Sequence, residues 1–143
     1  MFTTVVWATD GSDAADRALP YAKDLVRSAG GKLVVVHCKE MLLGRASGFT
    51  AQPDEDEVEA KIQQQIAEIR AEGIDASFTL PSGSQPHAAH MIDAAAREAG
   101  ADLIVVGTRG HTALAGLLVG SVTQRLLHLA TCPVLAVPPL RES

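Results

Sequence analysis

The chain contains few aromatic residues and little cysteine. Only 3% of its 143 residues are aromatic, and its two cysteines are Cys38 and Cys132. With so few rings on which bases could stack, and with a net charge of −5, the sequence lacks the features that nucleic-acid binding requires. The cysteines form no CxxC or Cys/His pattern, which excludes a disulfide framework and a zinc site of ordinary spacing. We expect two buried thiols and no nucleic-acid partner.

Long hydrophobic runs are also missing, since none approaches the roughly 20 residues of a membrane-spanning helix. The first apolar run follows Met1-Phe2-Thr3 without a basic leader, so we expect no signal peptide. Hydrophobic residues make up 47% of the chain and charged residues 20%, a balance typical of a globular protein. The expectation is one soluble domain over residues 1–143, located in the cytoplasm and without a membrane partner.

Short β-branched runs alternate with segments of helical periodicity along the chain. The predicted strands are Thr3–Thr9, Lys32–Cys38, Ala76–Leu80, Asp102–Val106 and Val134–Val137. The predicted helices are Asp13–Ala29, which we expect Pro20 to bend, Asp54–Glu72, His87–Ala99 and Ser121–Ala130. This alternation predicts a Rossmann-like α/β fold, an open parallel sheet with helices on both faces. Ligands of such sheets bind outside the carboxyl ends of the strands.

The most informative pattern lies at one of those strand ends. Gly107-Thr108-Arg109-Gly110 is followed, after nine residues, by Gly120-Ser121-Val122-Thr123. Glycines can adopt positive φ and let another group approach the backbone, so glycines after a strand and before a helix favour an anion cradle. Amides of the last helix would receive phosphate oxygens, with hydroxyls and Arg109 adding donors and charge. The pattern therefore favours a nucleotide phosphate.

Simpler explanations compete for several of these residues. Ser121 and Gln124 also form an S-x-x-Q capping box. Asp10 could bind a ribose hydroxyl or Mg²⁺, or it could be a turn residue or helix cap. The acidic block of residues 54–57 fits a solvated first helical turn better than a metal site. The P-loop and dinucleotide-binding motifs are absent.

Histidines offer weaker candidates. His87 and His90 are three residues apart on a predicted helix, but without a carboxylate or cysteine in register they form a weak metal pair. His37 is expected in the core or at the end of the second strand, where a polar contact with a ligand is an alternative. Cys38 and Cys132 lie at opposite ends of a parallel sheet, beyond disulfide reach.

The sequence resembles the universal stress protein family along essentially its whole length. The resemblance is carried by Ala8–Ser12, Val36-His37, Gly83–Pro86, the two spaced glycine segments and Pro133–Leu135. It implies a five-stranded parallel sheet in the order 3-2-1-4-5. It also implies ATP binding, with Mg²⁺ as a companion ion, and a homodimer formed through the last strand, Val134–Val137.

The resemblance implies a nucleotide site as well. Asp10 would approach ribose and metal, Cys38 would meet adenine, and the glycine segments would hold ribose and phosphates. The implied binding residues are Ala8, Thr9, Asp10, Cys38, Val106, Gly107, Arg109, Gly110, Gly120, Ser121, Val122 and Thr123. An aliphatic residue is more usual at the Cys38 position, a departure that bears on adenine packing and on the choice between nucleotides.

The predicted function is that of an ATP-binding regulatory protein of the stress response. One alternative is a slow ATP-hydrolysing or phosphoryl-transferring enzyme. Efficient catalysis is disfavoured, because besides Asp10 and Arg109 the sequence shows no evident base or water-orienting residue. The other alternative, a dimeric interaction protein without nucleotide, is disfavoured by the complete glycine pattern.

Overall fold

The structure, a computed structural model, describes residues 2–38, 55–81, 87–108 and 120–139. Within these ranges the elements are β1 Thr4–Ala8, α1 Asp13–Ala29, β2 Lys32–Val36, α2 Glu55–Ala71, β3 Asp75–Thr79, α3 Ala88–Ala99, β4 Leu103–Gly107, α4 Ser121–Leu129 and β5 Val134–Val137. The predicted elements are all present, with ends that differ by at most two residues. None of the helices in the described ranges is long and apolar enough to cross a membrane.

The five strands form one parallel sheet in the order β3-β2-β1-β4-β5, which confirms both the fold class and the implied strand order. β2 and β3 follow β1 to one side, whereas β4 and β5 lie on the other side. The order therefore reverses between β1 and β4, and the crevice at their carboxyl ends is where sheets of this kind bind ligands.

Hydrophobic side chains fill both faces of the sheet, as expected for central parallel strands. One cluster packs Val5, Trp7 and Val105 against α1 and α2, and the other packs Val6 and Ile104 against α3 and α4. The fully buried Trp7 ring satisfies its only polar atom by donating from Nε1 to the Ala15 carbonyl at 2.9 Å. This contact fixes α1 over the centre of the sheet.

Local signals explain the ends of α1. The Ser12 hydroxyl caps its first turn by accepting from the Ala15 amide at 3.2 Å. Gly30 ends the helix in the left-handed conformation with φ of 63°, which favours glycine. Between these ends α1 continues through Pro20 without interruption.

Asp102 ties the beginning of β4 to the chain that enters β1. Its Oδ2 accepts from the amides of Thr3 and Thr4, both at 3.0 Å, and from the Thr3 hydroxyl at 2.9 Å. These hydrogen bonds, with that of the Thr4 amide the strongest cause, hold the pKa of the Asp102 carboxyl below its usual range. The pKa of Glu72 is also lowered, first of all by its hydrogen bond with Lys23.

We expect Asp102→Asn to reduce the loss of stability on acidification. A carboxyl with a lowered folded pKa stabilises the protein fully above its unfolded pKa, and this contribution is lost as pH falls through the folded pKa. Melting temperatures measured from about pH 7 to about pH 3 should therefore fall less steeply in the variant than in the wild type. The control is Asp75→Asn, at an exposed aspartate of β3. An unchanged acid slope in Asp102→Asn would contradict the prediction.

Candidate functional site

The carboxyl ends of β1, β2 and β4 lie side by side at one edge of the sheet. Ala8 pairs with Val36 of β2, and Trp7 pairs with Val105 of β4, so the residues that follow these strands are neighbours. Three predicted site segments meet at this edge: the turn after β1, Cys38 after β2 and the end of β4. The site is therefore assembled from parts of the chain that are distant in sequence.

The turn after β1 is held by its own hydrogen bonds. The Asp10 side chain accepts from the Ser12 amide at 3.0 Å, and the Thr9 hydroxyl accepts from the Gly11 amide at 3.0 Å. Asp10 is only 2% exposed. Asp10 thus has the turn role considered for it, whereas Ser12 and not Asp10 caps α1.

Gly107 is required by packing within the protein. An added Cβ would lie 2.6 Å from the Ala14 carbonyl oxygen, a backbone atom of α1. The idea that the motif glycines serve positive φ is wrong for Gly107 and Gly120, because the positive-φ glycines of the described ranges are Gly11, Gly30, Gly73 and Gly100. Gly107 by itself is therefore no evidence for a ligand.

The start of α4 differs from the predicted capping box. Gly120, with φ of −68° and ψ of 160°, is the N-cap, and Ser121 is already the first helical residue with an exposed side chain. The box of Ser121 and Gln124 is therefore wrong. Within the described ranges no side chain caps this helix, so the first-turn amides of residues 121–123 keep their capacity to donate to an anion.

Thr123 and Thr108 join α4 to the end of β4. The buried Thr123 hydroxyl donates to the Gly107 carbonyl at 2.7 Å, so its proton is used inside the protein and only its amide is left for an anion. Thr108 is 8% exposed, and its buried Oγ1 has no hydrogen-bond partner among the described residues. Leaving a buried hydroxyl unpaired costs about 1–3 kcal/mol. No binding role was predicted for Thr108, although it lies inside the glycine pattern.

A contact between α2 and the residue that follows β2 was not predicted from the sequence. Glu55 Oε1 lies 2.7 Å from Nε2 of His37, whose ring is fully buried and whose Nδ1 lies 2.8 Å from the Thr9 carbonyl oxygen. The solvated role expected for the acidic block is therefore wrong for Glu55. The expectation that His37 is buried at the end of β2 is confirmed. The only signal in the sequence was the histidine at a strand end.

The cysteines and the remaining histidines add little to the site's chemistry. Cys38 is fully buried, with Sγ 4.0 Å from the Ala88 carbonyl, whereas Cys132 is partly exposed, so the expectation of two buried thiols is wrong for Cys132. Burial still raises the pKa of the Cys132 thiol. The rings of His87 and His90 are 5.9 Å apart, and the described residues contain no group of three or more His, Cys, Asp or Glu suited to a metal.

The family model of the universal stress proteins matches residues 1–138 of the chain. The chain belongs to the universal stress protein family. A member from Thermus aquaticus, the universal stress protein in the QAH/OAS sulfhydrylase 3′ region, is 36% identical over 142 residues. That alignment covers 96% of this chain and 99% of the relative.

Solved structures of universal stress proteins include complexes with adenine nucleotides. The structure of a universal stress protein from Archaeoglobus fulgidus in complex with dAMP is similar, with a TM-score of 0.65 and 31% identity, covering 96% of this chain and 98% of that one. A universal stress protein in complex with cAMP gives a TM-score of 0.67 and 26% identity, covering 96% and 97%. The dAMP and the cAMP are ligands of those related proteins.

In this universal stress protein, most of the implied site residues lie in the described ranges and meet at the same edge of the sheet. They are Ala8, Thr9, Asp10, Cys38, Val106, Gly107, Gly120, Ser121, Val122 and Thr123. Arg109 and Gly110 lie outside the described residues, as do Gly83–Pro86. The junction of β4 and α4 is thus described on both sides of the motif's nine-residue spacer.

Proposed function

We propose that this universal stress protein binds an adenine nucleotide, ATP above all, at the carboxyl edge of its sheet. The observation that carries the proposal is the junction of β4 and α4. There, among the residues that the structure describes, the first-turn amides of α4 have no side-chain cap and the buried Thr108 hydroxyl has no hydrogen-bond partner. Nucleotide phosphates supply the acceptors that both features call for. The dAMP and cAMP complexes of relatives support the choice of an adenine nucleotide.

Different residues at this edge would contact different parts of the ligand. Phosphates would lie against the amides of α4, whose helix dipole favours negative charge, with the exposed Ser121 hydroxyl as a further donor. Ribose, and Mg²⁺ where the ligand carries it, would approach Asp10, and adenine would lie against Cys38. Arg109, by its position in the motif, would add positive charge to the phosphate end.

The protein's role, in this proposal, is regulatory binding in the cytoplasm during stress, with the bound nucleotide setting which partner the protein prefers. The homodimer is part of the proposal. β5 is an edge strand whose first three residues are only partly buried, and pairing with a second copy would satisfy its outer hydrogen-bonding groups. Sedimentation equilibrium separates such a dimer from a 15.0 kDa monomer.

The experiment is calorimetric titration with ATP, AMP, cAMP and adenosine, alongside mass spectrometry of nucleotide released on denaturation. We expect ATP to bind to the wild type. Ser121→Pro should weaken ATP binding about 10- to 100-fold, which is the usual effect of losing a hydrogen bond to a charged group. Proline is tolerated at the first position of a helix, and the backbone angles of Gly120 suit a residue that precedes proline. Adenosine, which has no phosphate, should bind both proteins alike.

The matched control is Ser121→Ala, which removes the hydroxyl and keeps the amide. We expect Ser121→Ala to weaken ATP binding less than Ser121→Pro does. Absence of ATP binding to the wild type at millimolar concentration would refute the proposal. Equal ATP affinity of Ser121→Pro and wild type would place the phosphates elsewhere.

A further inference from the structure

His37 and Glu55 form a polar contact that the proposed binding of nucleotide does not by itself use. The His37 ring is fully buried, and each of its nitrogens lies against one oxygen. Nδ1 is 2.8 Å from the Thr9 carbonyl oxygen and Nε2 is 2.7 Å from Glu55 Oε1. The imidazole ring of His37 thus links the Thr9 carbonyl group to the Glu55 carboxyl group.

The hydrogens of this contact follow from its geometry. A carbonyl oxygen only accepts, so Nδ1 of His37 donates to Thr9. The contact between Nε2 and Oε1 then needs a hydrogen of its own, carried by the ring or by the carboxyl group. Alanine at position 55 would leave Nε2 without this partner, whereas glutamine could donate its amide hydrogen to an unprotonated Nε2 and keep the contact.

Thr9, at the other end of the contact, is the residue directly before Asp10. Its amide donates to the Val36 carbonyl at 2.9 Å, its hydroxyl accepts from the Gly11 amide, and its carbonyl accepts from His37. The backbone around Asp10 is thus fixed by β2 on one side and by its own turn on the other. The hydrogen bond from His37 is the contact that connects this backbone to Glu55 of α2.

α2 holds the same turn at a second place. Lys61 Nζ donates to the Gly11 carbonyl at 2.7 Å and to Asp16 Oδ2 at 2.7 Å. Val58 packs against Gly11 so closely that an added Cβ there would lie 2.9 Å from Val58 Cγ1. One helix therefore contacts the turn around Asp10 through a carboxylate acting on His37, an ammonium group and an apolar side chain.

We propose that Glu55, acting through His37, is a positioning residue for the Asp10 carboxylate and thereby sets affinity for the nucleoside part of the ligand. The inference rests on the proposed function, because Asp10 is placed there at the ribose. Glu55 acts at the ends of β1 and β2, away from the start of α4. Its loss should therefore weaken ligands with and without phosphate by the same factor.

The test compares Glu55→Ala, Glu55→Gln and the control Glu57→Ala in titrations with adenosine and AMP, at a temperature where circular dichroism shows every variant folded. Glu57 is an exposed carboxylate in the same first turn of α2, so its loss reproduces the change in charge and helix dipole alone. We expect Glu55→Ala to weaken both ligands about tenfold, and the other two variants to stay within about twofold of wild type.

A second readout needs no ligand. Amide hydrogen exchange of residues 9–12 in the ligand-free protein should be about tenfold faster in Glu55→Ala than in wild type, and close to wild type in Glu55→Gln. A Glu55→Ala protein with wild-type affinity, or a Glu55→Gln protein as weak as Glu55→Ala, would overturn the inference while leaving the proposed function intact. Unchanged exchange in Glu55→Ala would also overturn it. A wild type that binds none of adenosine, AMP and ATP would overturn both the inference and the proposed function.

Discussion

Replacing Gly120 with aspartate should strongly weaken the binding of phosphorylated ligands and leave the free protein at least as stable as wild type. Gly120 is the N-cap of α4 and has the extended backbone that capping residues adopt. An aspartate there can accept from the same first-turn amides that we assign to phosphate, and it adds a negative charge where the phosphate would lie. We expect ATP affinity to fall by at least about 100-fold, because the phosphate loses hydrogen-bond donors and is also repelled by the added negative charge.

The sign of the effect on stability makes this variant informative. Aspartate is a better N-cap than glycine by a few tenths of a kcal/mol, so urea unfolding should show no loss of free energy. Gly120→Asn, which has the same shape without the charge, should weaken ATP less, and adenosine should bind all three proteins alike. ATP affinity equal to wild type in Gly120→Asp would rule out the start of α4 as the phosphate site.

Replacing Gly107 with alanine should destabilise the protein by about 1–3 kcal/mol, the usual cost of forcing extra atoms into a packed interior. The added Cβ would lie 2.6 Å from the Ala14 carbonyl oxygen and 2.8 Å from its carbon. These are backbone atoms in the first turn of α1, so they cannot turn aside as a flexible side chain would. α1 would have to move away from β4, to the detriment of the packing on that face of the sheet.

Urea unfolding followed by circular dichroism measures this loss, with Gly100→Asn as the control. An added Cβ at Gly100 meets nothing within 4 Å, and asparagine tolerates the left-handed backbone found there. We expect the control to cost less than Gly107→Ala. A Gly107→Ala protein as stable as wild type would refute the packing argument. If the loss is seen, a Gly107 variant cannot serve to test phosphate contact, because it disturbs the fold as well.

The sequence by itself determined the elements and the kind of sheet. Short, β-branched apolar runs predicted the five strands, and helical spacing predicted the helices, because these patterns depend on neighbours along the chain. The run Leu103–Val106, for example, is buried throughout. The motif spacing, through the family resemblance, implied the strand order that the structure shows. It also located the candidate site at one edge of the sheet.

Only the tertiary structure decided what the individual residues at that edge do. The box of Ser121 and Gln124 was plausible from spacing alone, but the chain enters α4 one residue earlier, at Gly120. Gly107 is needed because α1 crosses β4 closely, and Glu55 is engaged because α2 brings it to a histidine 18 positions away. Such contacts join residues that are distant in sequence. Their distances depend on how helices pack on the sheet, which periodicity and composition do not specify.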